Sequence, residues 1–203
     1  VIRRGKYIGT IDVKETSEAK MAEMMVGRPV NFKVEKDPKE AGDVVLKVEN
    51  LSVLNNKKVL GLKNFSIEVK RGEILGIAGV EGNGQTELIE AITGMRHVKE
   101  GKILLKGQDI TNISIRKRIE SGIGHIPEDR HKRGLVLDYT LEDNMVLQRY
   151  NKEPFSKFGL LQRGAIHKYA EGIIEEFDVR SGQGAASIAR TMSGGNQQKA
   201  IIG

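Results

Sequence analysis

The chain has 203 residues, 33 Lys and Arg against 27 Asp and Glu, and a formal net charge of +6. It has no cysteine, which excludes disulfides and thiolate metal centres, and no apolar run near the ~18 residues that span a bilayer as a helix. Apolar residues at 38% with 24 glycines fit a glycine-rich globular chain; the basic excess, spread along the sequence, is either a solvated surface or a match for an anionic partner.

VIRRGKYIGTIDV (1–13) reads as two short strands around an Arg-Gly-Lys turn. Ser17 offers an N-cap to a short helix with apolar positions Ala19, Met21, Ala22, Met24 and Met25, and Gly27 stops it. The methionines are expected to pack in a core. Residues 28–43 are charged, include Pro29 and Pro38, and lack periodicity, as a linker does. VVLKVENLSV and NFSIEVKRGE then read as strands; Phe65, Ile67 and Val69 alternate with polar residues, so the second has one wet face. EILGIAG (73–79) is apolar without alternation, which predicts a strand buried on both faces.

TELIEAITG reads as a helix ended by Gly94, KILLKG as a strand, SIRKRIESG as a helix capped by Ser114, and GIGHIP as another strand. Thr140 and Asp143 open a helix at TLEDNMVLQRY as a variant capping box. Ile166, Tyr169, Ala170, Ile173, Ile174 and Phe177 share one helical face. An α/β front half gives way to a mainly helical back half.

The stretch GVEGNGQT (79–86) stands where a phosphate-cradling loop belongs, between strand and helix. Its glycines Gly79, Gly82 and Gly84 let main-chain N–H groups converge on an anion, and the following helix adds the positive end of its dipole. Thr86 can place its hydroxyl on Mg²⁺. The pattern GxxxxGK[ST] calls for lysine where Gln85 stands. A Rossmann reading would put Glu87 at the third glycine, and an ordinary strand–helix turn is the plain alternative.

Near the end stands MSGGNQQK (192–199). With it the chain resembles the ATP-binding proteins of ABC transporters, in the tandem-cassette form found in bacterial importers of simple sugars and nucleosides. EILGIAGVEGNGQTELIEAITGM resembles that family's strand, phosphate loop and helix. EGKILLKGQDIT resembles the strand that follows. GIGHIPEDRHKRGLVLDYTLEDNMVL resembles its Q-loop region. The opening 30 residues resemble the closing segment of a preceding cassette.

The resemblance implies an α/β fold: a P-loop NTPase (RecA-like) core with an antiparallel β subdomain and a helical subdomain, truncated at its C-terminal end. Residues 1–28 would be the tail of a first cassette, 29–43 a linker, and 44–203 an incomplete second cassette. ATP would lie on Gly79, Glu81, Gly82, Asn83, Gly84, Gln85, Thr86 and Glu87. Mg²⁺ would be held by Thr86 and by Glu128, which stands where the family has its Q-loop glutamine. Ser193, Gly194, Gly195, Asn196 and Gln197 would form the signature that faces the nucleotide of the opposite cassette. No catalytic residue is expected within these 203 residues.

The resemblance also implies membrane-spanning permease subunits as partners, docked near 128–190, and a peripheral place on the cytoplasmic face of the membrane. No nucleic acid and no membrane insertion are expected. Gln85, Glu128 and the lack of an aromatic in LSVLNNKK for adenine stacking are departures from the family pattern. They leave open a non-hydrolysing regulatory or structural cassette, or a soluble ribosome-associated ABC protein. His97, His125, His131 and His167 have no metal-ligand spacing.

Overall fold

The structure is a computed structural model describing residues 1–3, 5–29, 37 and 40–203. Most of the linker expected over 29–43 lies outside the described residues. The chain divides into two units, Val1–Asp43 with Arg71–Glu73, and Val44–Lys70 with Ile74–Gly203.

In the first unit, β1 (Ile2–Arg3) and β2 (Lys6–Tyr7) form an antiparallel hairpin. Helix α1 (Glu18–Val26) starts at Ser17, whose hydroxyl accepts from Lys20 N at 3.3 Å, and ends at Gly27 with φ 89°. The methionines are not core residues. No residue of α1 is buried, and Met25 is 62% exposed. One short helix and a two-stranded hairpin offer too little apolar surface to enclose them.

In the second unit, β3 (Val44–Leu54), β4 (Leu60–Lys70), β5 (Val98–Leu105) and β6 (Gln108–Asp109) form one antiparallel sheet in the order β4-β3-β5-β6. Helix α2 (Gln85–Thr93) lays Leu88 and Ala91 on this sheet, and with Val48, Leu51, Val53, Leu62, Val98, Ile103 and Ile110 they close the main core. Helix α3 (Ile115–Glu120) follows, capped by Ser114.

A π-helical turn, Arg130–Gly134, leads to α4 (Leu141–Val146), which Thr140 caps by accepting from Asp143 N at 3.2 Å. A hairpin, β7 (Ser156–Lys157) and β8 (Leu160–Leu161), precedes α5 (Arg163–Glu176). Its predicted face is real: Ile166, Ala170 and Ile173 are buried. Helix α6 (Gly194–Ile202) closes the chain, with Ala200 packed beside Leu141 and Val179. Among the described residues no helix is long and apolar enough to cross a membrane.

Two predicted strands are absent. Residues 73–79 and 122–127 belong to no ladder, and Ile74, Ile77 and Val80 are exposed rather than buried on both faces. An apolar run becomes a strand only beside a neighbour that accepts its hydrogen bonds. Neither run meets one among the described residues.

Candidate functional site

The glycine loop forms as a sharp turn running into α2. Gly82 and Gly84 have φ of 89° and 97°. Gly84 has a second reason to be glycine: a Cβ there would lie 2.8 Å from the Gly61 carbonyl oxygen, so the loop sits tightly against β4. Its carbonyl accepts from Leu88 N at 2.9 Å, the first bond of the helix. The amides of Gln85, Thr86 and Glu87 precede that bond and meet no acceptor among the described residues. Such free first-turn amides suit an anion.

Side chains oppose this main-chain fit. Residues 79–87 hold Glu81 and Glu87 and no cation. Gln85 folds back over the loop, its amide against Gly79 and its Nε2 3.4 Å from the Val80 carbonyl oxygen. Thr86 is exposed, so its hydroxyl is available to a ligand or metal.

The residues expected to form the signature divide into two groups. Ser193 is the N-cap of α6, with Gly194 and Gly195 as the first helical residues. Its hydroxyl accepts from Asn196 Nδ2 at 2.9 Å rather than from the helix amides. Asn196 also accepts from Arg180 N at 2.9 Å. Gln197 is buried; its Nε2 donates to the Ala189 carbonyl at 2.9 Å, and its Oε1 lies 2.8 Å from His131 Nε2. Ser193, Gly194 and Gly195 are therefore presented at the helix start, while Asn196 and Gln197 hold it in place.

Two buried ionic centres escaped the reading of the sequence. Glu90, in the middle of α2, is 5% exposed. Its Oε2 accepts from Arg96 Nε at 2.7 Å, and its Oε1 pairs with Arg133 Nη1. Burial pushes this carboxyl up, but Arg133 and Arg96 outweigh burial and hold it below its ordinary value. Arg118, on α3, is 2% exposed and donates to the carbonyls of Ala91, Ile92, Thr111 and Ile113 at 2.8, 2.7, 2.7 and 3.3 Å. It thereby closes the C-terminal end of α2, where the helix dipole favours a cation. Burial lowers its guanidinium below the usual value. Nothing in TELIEAIT marks Glu90 as buried: at helical spacing it falls opposite Leu88 and Ile92, on the side of Thr86, Glu87 and Thr93.

Comparison with protein-family models matches the ABC transporter model over residues 62–203. The chain belongs to the ABC transporter family. It is 50% identical over 203 residues to the guanosine import ATP-binding protein NupO of Bacillus subtilis (strain 168), covering 100% of this chain and 40% of that protein. It is 48% identical to the nucleoside import ATP-binding protein NupA of Lactococcus lactis subsp. cremoris (strain MG1363), again over 100% of this chain and 40% of the relative. Against the ribose import ATP-binding protein RbsA of Clostridium tetani (strain Massachusetts / E88), identity is 37%, over 100% of this chain and 39% of the relative. The chain thus spans about 40% of the length of these relatives.

Among solved structures, a nucleotide-free ATP-binding cassette from an ABC transporter superposes with a TM-score of 0.63 at 23% identity, covering 79% of this chain and 63% of that one. The ADP conformation of the cassette MJ1267 gives a TM-score of 0.59 at 22% identity, with the same coverage. The fold is that of ABC cassettes, a P-loop NTPase fold with its antiparallel sheet and helical part.

In this ABC cassette Glu128 is exposed and has no hydrogen bond or ion pair among the described residues. No group of three His, Cys, Asp or Glu suited to a metal occurs among them either. In the stretch without an aromatic, Asn55 accepts from the amides of Lys57 and Val59, and Asn56 accepts from Arg96. Those asparagines shape the β3–β4 turn. Among the described residues His131 is the one histidine joined to a residue of the expected signature; His167 pairs with Glu142 and Glu171 on the helical side.

A groove of about 1760 Å³ opens in the second unit among α3, the turn after α4 and α5, lined by Ile119, Ile123, Leu147, Tyr150 and Tyr169 among others. No residue of the glycine loop borders it.

Proposed function

We propose that this chain is part of the ATP-binding subunit of a bacterial ABC importer, with nucleosides favoured over simple sugars as cargo. Residues 1–28 are the tail of a preceding cassette and 44–203 most of a second. The importer binds ATP with Mg²⁺ and couples its hydrolysis to transport through membrane-spanning permease subunits, from the cytoplasmic face. The permease docks across 128–190, a span that takes in much of the groove beside α5.

The cassette is degenerate. Its loop offers main-chain N–H groups to a triphosphate and Thr86, with Glu128, to Mg²⁺, but lacks the lysine charge. Its signature completes the site of the partner cassette. One observation carries this reading: unsatisfied amides at Gln85, Thr86 and Glu87 stand at the start of α2 in a chain that matches nucleoside import ATP-binding proteins over its full length. The preference for nucleosides rests on identities of 50% and 48%, against 37% for a ribose importer.

Binding of Mg·ATP to the chain and to Gln85→Lys tests the proposal. A hydrogen bond to a charged group is worth roughly 1.5–3 kcal/mol, so Gln85→Lys is expected to tighten binding about tenfold to a hundredfold. The carboxylates Glu81 and Glu87 favour a second reading, a scaffold cassette that binds no nucleotide. That reading stands if neither form binds and the transporter with this loop deleted still imports.

A further inference from the structure

The π-helical turn Arg130–Gly134 touches both halves of the candidate site. Asp129 fixes it, accepting from the amides of His131 and Lys132 at 3.0 Å each. On one side Arg133 reaches the buried carboxylate of Glu90, inside α2. The other Glu90 oxygen is held by Arg96, so the seat of Arg133 is fixed from within the core. On the other side His131 meets buried Gln197 of α6 at 2.8 Å. The Arg130 guanidinium lies against Gly194, where a Cβ would come within 3.2 Å of its Cζ. Gly134 lies beneath Ile201, whose Cδ1 would stand 2.8 Å from a Cβ.

We propose that this turn is a strut that sets the spacing of the phosphate-loop helix and the signature helix, with Arg133 and His131 as its positioning residues. Both ends are directional bonds to buried partners, and such bonds fix orientation where apolar contact alone permits sliding. The consequence rests on the proposed function. There the loop and the signature of one cassette serve different composite sites, so the strut keeps this cassette's half of one site in register with its half of the other. A cassette whose own loop binds weakly still needs the strut to present its signature.

Hydrogen exchange on the full chain without nucleotide tests the strut. Arg133→Ala is expected to speed exchange of the α6 amides of residues 197–202 at least tenfold, while β3 and β5 keep their rates. Arg133→Lys keeps a cation for Glu90 and is expected to restore most of that protection. His131→Ala is expected to speed the same α6 amides and leave α2 unchanged. Unaltered α6 rates in Arg133→Ala, or acceleration shared equally by the sheet, overturns the strut. A separate arm adds Mg·ATP to the unsubstituted chain and follows residues 85–88. Failure to protect them overturns the nucleotide reading and leaves the strut to be decided by the nucleotide-free rates.

Discussion

Glu90→Ala is expected to lower the unfolding free energy by about 3 kcal/mol at pH 7, measured by urea titration. Removing one member of a buried ion pair costs roughly 3–5 kcal/mol, because the charge left behind stays desolvated. The low end applies here, since Arg96 also donates to the Leu54 carbonyl and to Asn56, and Arg133 is partly exposed. The loss depends on pH in a defined direction. The folded-state Glu90 carboxyl lies below its ordinary value of about 4.5, so its contribution is fully present above that value and fades as pH falls through the folded-state value. The gap between wild type and Glu90→Ala should therefore begin to narrow below about pH 4.5 and go on narrowing toward the lower folded-state value. A gap that persists unchanged at pH 3 would show that packing, not charge, sets the effect.

Arg118→Ala should be at least as damaging, at about 3–5 kcal/mol. The guanidinium is buried, has no carboxylate partner among the described residues, and satisfies four carbonyls, two of them at the end of α2. Each buried acceptor left unpaired costs roughly 1–3 kcal/mol, and water entering the space recovers part of it. Arg118→Lys cannot reach all four carbonyls from a single ammonium and should recover less than half of the loss. Thermal unfolding of both variants is the measurement. A change under 1 kcal/mol for Arg118→Ala would mean that those carbonyls find other donors.

What could be read from the sequence was mostly local. Ser17, Ser114 and Thr140 cap the helices they were expected to cap, and Gly27 and Gly94 end theirs, because a cap needs only its own next few residues. The glycine turn at 79–86 and the helix start at Ser193 were legible for the same reason: turn, spacing and helix start lie within ten residues. The two missing strands, at 73–79 and 122–127, fail at the opposite extreme. Apolarity is a property of the run, but strand identity belongs to the pair. Glu90, Arg118 and Arg133 were missed because their partners lie 5–43 residues away and a charge among polar helix positions names neither its burial nor its counterion. His131 looked incidental until the fold brought it to Gln197.

The stretch from Ile74 to Val80 carries a practical consequence. Ile74 is 82% exposed, Val80 76% and Ile77 49%, and no ladder occupies their backbone among the described residues. An uncovered aliphatic segment of this kind is a nucleus for intermolecular β-assembly. Purified at high concentration, the chain should precipitate in a concentration-dependent way, and a lysine in place of Ile74 should raise its solubility without disturbing the sheet built by β3, β4 and β5.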